Sequence, residues 1–437
     1  MRSKDMSTEA SPFDTVCQYI DQGRNIFISG VGGCGKSYLL KQLYEKYNKQ
    51  YPCLLSSTTG ISAYNLGGVT IHSWCKIITP SVTPPDIQSW ANNLVNKINR
   101  KGNLVKRYTN IKIIFLDEVS MLGSNYLDIL NYVCQQVRKR DGVPFGGIQV
   151  VFGGDMMQLP PVKDDFPFES ASWDTLNLQF IRLTKAWRFD NQIWVDLLHR
   201  ARLGQLTKDD VTALQARVNQ KEPGQFCPIV LLSKNDDVGS INSTRLNSIK
   251  SPSTIFKAAD FVVIRNDDDE ILQSIPKQLS PEVSKQFMMD DTVELKVGCQ
   301  VMLVANLDVE GGLTNGTRGI VVDISSNSVT VQFEHGVKCI GSYTFNLEYQ
   351  DVSYIRCIVP FKLAFATSIH KSQSLTLSSV EIDIGSNIFS EGQSYVALSR
   401  CRSLDGLYIK SIDVSKIKPH PKALKFERYF LKRCIEV

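Results

Sequence analysis

The chain is 437 residues long, 43% hydrophobic and 21% charged, with a formal net charge of +5. That length predicts about two to four domains with sizeable cores and excludes wholesale disorder, while the mildly basic balance permits a nucleic-acid partner without arguing for one. Eleven cysteines are scattered from Cys17 to Cys434 with no CxxC pair and no Cys/His group at zinc spacing, so they read as reduced thiols; no apolar run is long enough for a membrane span or a signal core, so neither is expected.

The first element in chain order is an apolar strand at 25–29. Gly30-Val31-Gly32-Gly33-Cys34-Gly35-Lys36-Ser37 follows it and fits the phosphate-binding pattern GxxxxGK[ST] without a mismatch, and a helix is predicted over 38–47. Strand, glycine loop and helix supply what phosphate binding needs, because glycines let backbone N–H groups curl around an anion at a helix N-terminus. Lys36 is expected to reach the β- and γ-phosphates and Ser37 to coordinate Mg²⁺. Further strands are predicted at 52–56, 111–116, 147–152 and 180–183, with helical stretches such as 126–138 between them. Such alternation predicts an α/β unit with a parallel sheet. Pro80, Pro84 and Pro85 interrupt the pattern, and a polar helical segment runs from Asp86 to about Arg107. It reads as an insertion whose cations, Lys97, Arg100, Lys101, Lys106 and Arg107, form either a solvated face or a nucleic-acid contact.

The strand at 111–116 ends in Asp117-Glu118, about eighty residues after the phosphate loop. Asp117 at a strand tip is placed to hold Mg²⁺ and Glu118 to polarise an attacking water. The next strand ends in Gly153-Gly154-Asp155-Met156-Met157-Gln158, where Gln158 is a candidate sensor of the γ-phosphate and the water. In the second half, strands are predicted at 229–233, 301–305, 363–367 and 380–384, as a second α/β domain. Short β-like runs at 317–324, 328–334 and 337–343 are punctuated by Asn315-Gly316, Ser326-Asn327 and His335-Gly336, which predicts a small antiparallel barrel inserted there. The acidic run 266–270 reads as a solvated loop.

The motifs together resemble the petite-integration-frequency family of superfamily 1 helicases, relatives of the RecD helicases, from Gly30 to Leu407. The resemblance rests on Thr58-Thr59-Gly60-Ile61-Ser62-Ala63, Gly68-Val69-Thr70-Ile71-His72-Ser73-Trp74, Asp117-Glu118-Val119-Ser120-Met121 and Pro144-Phe145-Gly146-Gly147-Ile148-Gln149 in the first half. It continues through Leu183-Thr184-Lys185-Ala186-Trp187-Arg188, 295–303, Asn315-Gly316-Thr317-Arg318-Gly319, Ser368-Ile369-His370-Lys371-Ser372-Gln373 and Gly392-Gln393-Ser394-Tyr395-Val396-Ala397-Leu398-Ser399-Arg400.

The resemblance implies two RecA-like P-loop domains clamping ATP and Mg²⁺: residues 1–184 with a small insertion at about 75–110, and residues 185–437 with an SH3-like β-barrel insertion at about 307–360. It implies a 5′-to-3′ DNA helicase or translocase, active in replication, repair or recombination, on single-stranded and forked DNA. Replication or repair factors are expected as partners, with a monomeric state and an intracellular location wherever DNA is replicated. Nucleotide contacts are implied for Gly30, Gly32, Gly33, Cys34, Gly35, Lys36, Ser37, Tyr38, Gln373 and Gln393. Metal contacts are implied for Ser37 and Asp117, and catalytic roles for Lys36, Asp117, Glu118, Gln158 and the two arginine fingers Arg188 and Arg400, the charges a departing γ-phosphate requires. Thr58, His72, Ser73, Thr367, His370 and Lys371 lie in blocks resembling the family's strand-contacting motifs, with hydroxyls, imidazoles and a lysine suited to phosphate. Trp74 reads either as a base-stacking ring or as a core aromatic.

The chain departs from the family pattern at three places. No glutamine falls in register for the adenine-reading element upstream of Gly30, where Ser11-Pro12-Phe13-Asp14 stands and Gln18 and Gln22 are displaced. Phe189 replaces a usual glutamine, and Ser374 a usual glycine. Two other functions fit the sequence: a nucleotide-gated single-strand-binding protein with weak hydrolysis, and a helicase acting mainly on RNA–DNA hybrids.

Overall fold

The computed structural model describes residues 11–77, 87–189, 191–220, 226–233, 235–265, 271–308, 311–349, 352–373, 375–385 and 387–437. The acidic run 266–270, the prolines at 80, 84 and 85, and Ser374 lie outside the described residues. The chain divides into two compact units, residues 1–190 with 419–437, and residues 191–418.

The first unit is built on strands β1 (Ile26–Ser29), β2 (Cys53–Ser57), β3 (Val69–Thr70), β4 (Ile113–Asp117), β5 (Gln149–Gly153) and β6 (Gln179–Arg182). They form one parallel sheet in the order β6-β1-β5-β4-β2-β3, with a further short strand, Ile435–Glu436, beside β6. β1 and β4 are buried along their whole length, as continuous apolar strands covered on both faces should be. Helices α1 (Pro12–Asp21), α2 (Lys36–Tyr47), α3 (Gly60–Leu66), α4 (Ile71–Cys75), α5 (Ile87–Asn99), α6 (Gly102–Asn110) and α7 (Ser124–Arg138) connect and flank them.

Three features differ from the sequence reading. The expected single helix from Asp86 to Arg107 is two helices, parted at Arg100-Lys101 ahead of Gly102, a poor helix former. α5 buries Ala91, Val95 and Ile98, while Lys97, Arg100, Lys101 and Lys106 are exposed. The C-terminal segment, expected in the second unit, belongs to the first. Its helix Pro421–Leu431 carries Phe426 and Phe430 one turn apart, and both rings pack on Phe27 of β1, at centroid distances of 6.0 and 5.6 Å. Phe168 stacks on Phe426 at 4.4 Å. Edge-to-face and offset rings of this kind add ~0.5–1.5 kcal/mol per pair beyond area burial, enough to fix where the tail docks.

The third difference lies in the second unit. Its parallel sheet is small: β7 (Ile229–Leu232) lies between the later strands β19 (Ala366–Ser368) and β20 (Val380–Ile384), and β21 (Leu407–Ile412) pairs with β20. Between β7 and β19 every strand pairing among the described residues is antiparallel. β8 (Ser253–Lys257), β9 (Ala259–Arg265), β10 (Ile271–Pro276), β11 (Thr292–Lys296), β12 (Gln300–Leu303), β13 (Arg318–Ile324), β14 (Ser328–Phe333), β15 (Gly336–Gly341), β16 (Tyr343–Tyr349), β17 (Val352–Ile358) and β18 (Phe361–Leu363) form sheets β10-β9-β17-β16, β11-β8 and β15-β14-β13-β12-β18. The antiparallel region therefore starts near 253 rather than 307. The strand expected at 301–305 belongs to it rather than to the α/β sheet, and the one expected at 363–367 is divided between β18 and β19.

Candidate active site

The carboxyl ends of β1, β4, β5 and β6 carry the expected nucleotide residues of the first unit, the edge at which open parallel sheets bind ligands. β1 runs into the glycine loop and α2 begins at Lys36, with Gly35 capping it in a left-handed conformation (φ 87°). Gly33 is also left-handed (φ 84°), and a Cβ there would come within 2.5 Å of the Arg188 Cβ. No residue but glycine fits both the backbone and the space. Lys36 Nζ donates to Gly30 O at 2.8 Å and Val31 O at 3.1 Å, with Cys34 Sγ at 3.5 Å. The ammonium thus sits inside the loop that would cradle the phosphates.

Asp117, at the tip of β4, is buried, and its Oδ2 accepts from Ser37 Oγ at 2.5 Å. Burial, and next the neighbouring Glu118, push its carboxyl up to about 6; the Ser37 hydroxyl and Lys36 act in the opposite direction. Two hard oxygen donors converging at the end of the phosphate loop suit a small divalent cation, so Ser37 and Asp117 would hold Mg²⁺, which would supply charge against the β- and γ-phosphates. Glu118 is 8% exposed and adopts a left-handed backbone, φ 52° and ψ 39°. Gln158 follows β5 and is buried, its backbone N–H donating to Asp155 O at 3.0 Å.

The segment after β6 folds back on the glycine loop. The amides of Trp187 and Arg188 both donate to Gly33 O, at 2.9 and 3.2 Å. This brings the expected finger Arg188 to the loop. Phe189 is buried, 3.2 Å from the position a Gly33 Cβ would take, so the departure from glutamine installs an apolar support under the loop. Trp187 is 67% exposed, with Lys185 Nζ 3.7 Å from its ring centroid. Tyr38 is exposed at the start of α2 and accepts from Gln42 Nε2. In α1, Phe13 packs against the apolar core where an adenine-reading glutamine was sought, and Gln18 and Gln22 are exposed.

Strand-contact candidates fall in both units. In the first, Thr58 leaves β2, and His72 and Ser73 lie on α4. His72 packs on Tyr126 at 4.3 Å, and burial lowers its pKa to about 4, so it is neutral at physiological pH. Trp74 is a core ring, 8% exposed and 5.0 Å from Tyr108, which settles the alternative left open for it. Arg107 donates to Trp74 O, and the Pro144–Gly147 turn is held by Arg138 Nε on Gly146 O and by Asn131 Oδ1, which accepts from the Phe145 amide. That family signature is therefore structural.

In the second unit, Ser368 caps a short helix, Ile369–Ser372, which places His370 half-buried, Lys371 exposed and Gln373 buried at its end, with Thr367 half-buried on β19. Burial lowers the His370 pKa as well. Gln393 is buried, with its Oε1 accepting from the Phe389 amide and its Nε2 lacking an acceptor among the described residues. Arg400 is 1% exposed: Nε donates to Val396 O at 3.0 Å, Nη1 approaches Ser372 O and Leu375 O at 3.5 and 3.4 Å, and Nη2 donates to Ser399 Oγ at 2.8 Å. A finger role would require the guanidinium to leave these acceptors.

With His72 and His370 held neutral, Lys371 is the candidate whose charge a DNA phosphate would feel. Lys371→Ala is expected to weaken oligonucleotide binding evenly across sequences and to flatten the log–log salt slope by about 0.7. Titrations at several salt concentrations on two unrelated sequences check this, and a sequence-selective loss would mean base readout instead. Sequence reasoning missed Ser57 and Ser62, whose hydroxyls approach Asp117 O and Asp117 Oδ2 at 3.3 and 3.5 Å. The hydroxyl-rich exit of β2, Ser56-Ser57-Thr58-Thr59, was the available signal.

Comparison with known proteins places this geometry in a family. Residues 8–208 match the model of the PIF1-like helicases, and residues 279–324 match the 2B domain of DNA helicase Pif1. The chain is 33% identical over 433 residues to ATP-dependent DNA helicase PIF1 of Xenopus laevis, covering 96% of this chain and 64% of the relative, so it spans under two thirds of that relative's length. Among solved structures it resembles Pif1 helicase from Candida albicans, with a TM-score of 0.76 at 29% identity over 97% of this chain and 100% of that one. It also resembles Pif1 helicase from Bacteroides in complex with ADP-AlF3 and ssDNA, with a TM-score of 0.67 at 28% identity over 97% of both chains. Motif order, the parallel α/β sheets and these likenesses agree, and the chain belongs to the PIF1-like helicase family.

Proposed function

We propose that this chain is an ATP-dependent DNA helicase that moves 5′ to 3′ along single-stranded DNA and unwinds duplex ahead of it. The observation that carries the reading is the convergence of the phosphate loop and the strand-end carboxylates, with Ser37 Oγ 2.5 Å from Asp117 Oδ2, in a chain of this family. The relative solved with ADP-AlF3 and ssDNA supports both ligands. Mg²⁺ is assigned to Ser37 and Asp117, the γ-phosphate to Lys36, Arg188 and Arg400, and the attacking water to Glu118 and Gln158. The antiparallel strands of the second unit support the SH3-like insertion that the family resemblance implies. Forked duplexes with either a 5′ or a 3′ single-stranded tail test the reading. Unwinding of the 5′-tailed fork alone, dependent on ATP and accompanied by oligonucleotide-stimulated hydrolysis, is expected; turnover indifferent to saturating oligonucleotide would sink the reading.

Base selectivity should be loose. Phe13 packs against the core in the segment where the family's base-reading glutamine is expected, while the phosphate-facing residues are in place. GTP is expected to support DNA-stimulated hydrolysis within about tenfold of ATP in kcat/KM, a gap of ~1.4 kcal/mol, the order of one lost hydrogen bond to a base edge. Parallel kinetics with the two nucleotides decide it, and a thousandfold preference for ATP would mean that another segment reads the base.

A further inference from the structure

We propose that Thr58 is a positioning residue for Glu118, a role distinct from the phosphate contact that its motif suggests. β2 and β4 pair in parallel, with Ser57 opposite Asp117. The contact continues one residue beyond the strands: the Thr58 amide donates to Asp117 O at 3.3 Å and the Thr58 hydroxyl donates to Glu118 O at 2.8 Å. A threonine hydroxyl has one hydrogen to give, and a phosphate oxygen only accepts. Both donors of Thr58 are therefore directed at the Asp117–Glu118 carbonyls, and neither can serve a DNA phosphate at the same time.

What the hydroxyl holds is a strained turn. A left-handed, non-glycine residue is unfavourable and persists where its surroundings fix it, commonly at functional sites. At Glu118 the turn is fixed by its own amide on Asp117 Oδ1 at 2.9 Å, by the Met121 amide on Glu118 O at 3.1 Å, and by Thr58. The first two lie within residues 117–121; Thr58 reaches in from another element. On its other side the same short loop faces outward: Thr59 caps α3 by accepting from the Ser62 amide, and Gly60 is exposed. The 58–60 segment, which leads into α3, thus touches the Glu118 backbone on one side and solvent on the other. Resting on the helicase reading, this makes the Thr58–Glu118 bond the route by which a strand lying on that loop would set the aim of Glu118.

The test compares Thr58→Val, which keeps the shape and loses the hydroxyl, with Thr58→Ser, which keeps the hydroxyl. Thr58→Val is expected to lower kcat by ~10-fold or more, both without and with saturating single-stranded oligonucleotide, because misaim of a catalytic group is felt in turnover. KM for ATP and the oligonucleotide Kd should stay within about twofold, Thr58→Ser should recover most of the loss, and Thr58→Val should add less than about twofold to Glu118→Gln, since residues that act as one unit are not additive. Wild-type turnover in Thr58→Val, a loss of oligonucleotide affinity with unchanged saturating kcat, or full additivity with Glu118→Gln would each overturn the assignment. If the wild-type enzyme is not stimulated by DNA, the helicase reading fails, while the basal comparison still decides the role of Thr58.

Discussion

A Glu118→Gln enzyme is expected to bind Mg·ATP normally and to turn it over ~10²-fold or more slowly, the usual size of a lost general base. Binding survives because Glu118 is not among the groups that would hold the phosphates or the metal. Lys36 Nζ sits within the loop on Gly30 O and Val31 O, and Ser37 meets Asp117. The amide is isosteric and leaves the left-handed backbone of Glu118, with its bonds to Asp117 and Thr58, in place. Only the ability to take a proton from water is lost. Lys36→Ala separates the two effects. It removes the ammonium itself, so nucleotide binding and hydrolysis should fail together, whereas Glu118→Gln should give a stable nucleotide-bound state. Equilibrium nucleotide binding and steady-state turnover on both variants check this. Near-normal turnover in Glu118→Gln would show that another residue positions the water.

The nucleotide half of this site was legible because its chemistry is contiguous in sequence. A glycine loop must be followed by its helix and a metal carboxylate must end an apolar strand, so Gly30–Ser37 and Asp117-Glu118 announce themselves, and the structure brings them together through Ser37 and Asp117. Contacts made across the sheet edge left less trace. Thr58 is expected as a strand contact from the motif block it shares with the family, whereas its hydroxyl's bond to Glu118 O follows only from the register of Ser57 opposite Asp117. Arg400 reads as a charge for the γ-phosphate, yet the structure turns it onto carbonyls of its own unit, a conformational matter that spacing cannot express.

In the fold, β1, β2, β4, β5 and β6 of the first unit are legible as apolar runs, whereas its two-residue strands Val69–Thr70 and Ile435–Glu436, and β8 to β11 of the second unit, are not. β8 and β9 are largely half-buried or exposed and take partners distant in the chain, β11 and β17, so no clean alternation marks them, while β11 alternates over only 5 residues. The docking of the C-terminal helix was visible only as Phe426 and Phe430 one turn apart, a stripe that says a face is buried but not against which sheet.

Arg356→Ala should destabilise the second unit strongly, by about 3–5 kcal/mol, because it strands a partly buried carboxylate. Arg356 lies on β17 and its side chain is fully buried. Nε and Nη2 meet the two Asp260 oxygens of neighbouring β9 at 2.8 Å each, Nη1 donates to Met289 O at 2.8 Å, and Nη2 also donates to Ser284 Oγ at 2.9 Å. The guanidinium lies 4.5 Å from the Phe287 ring centroid. One residue thus ties two strands to the 284–289 segment that lies between β10 and β11, where Phe287 and Met289 are also buried. Truncation removes every one of these bonds and leaves Asp260, whose side chain is 12% exposed, without its counter-charge. Because a two-unit chain need not unfold in one step, the loss is best read locally, as faster amide exchange in β9, β17 and residues 284–289 alongside the shift in apparent Tm. The pair Arg356→Met with Asp260→Asn should recover a large part of the loss, since replacing both partners leaves no buried charge behind. If Arg356→Ala leaves exchange in these strands unchanged, the bidentate pair is not what holds the antiparallel sheet together, and the apolar contacts of β17 with β9 and β16 carry it instead.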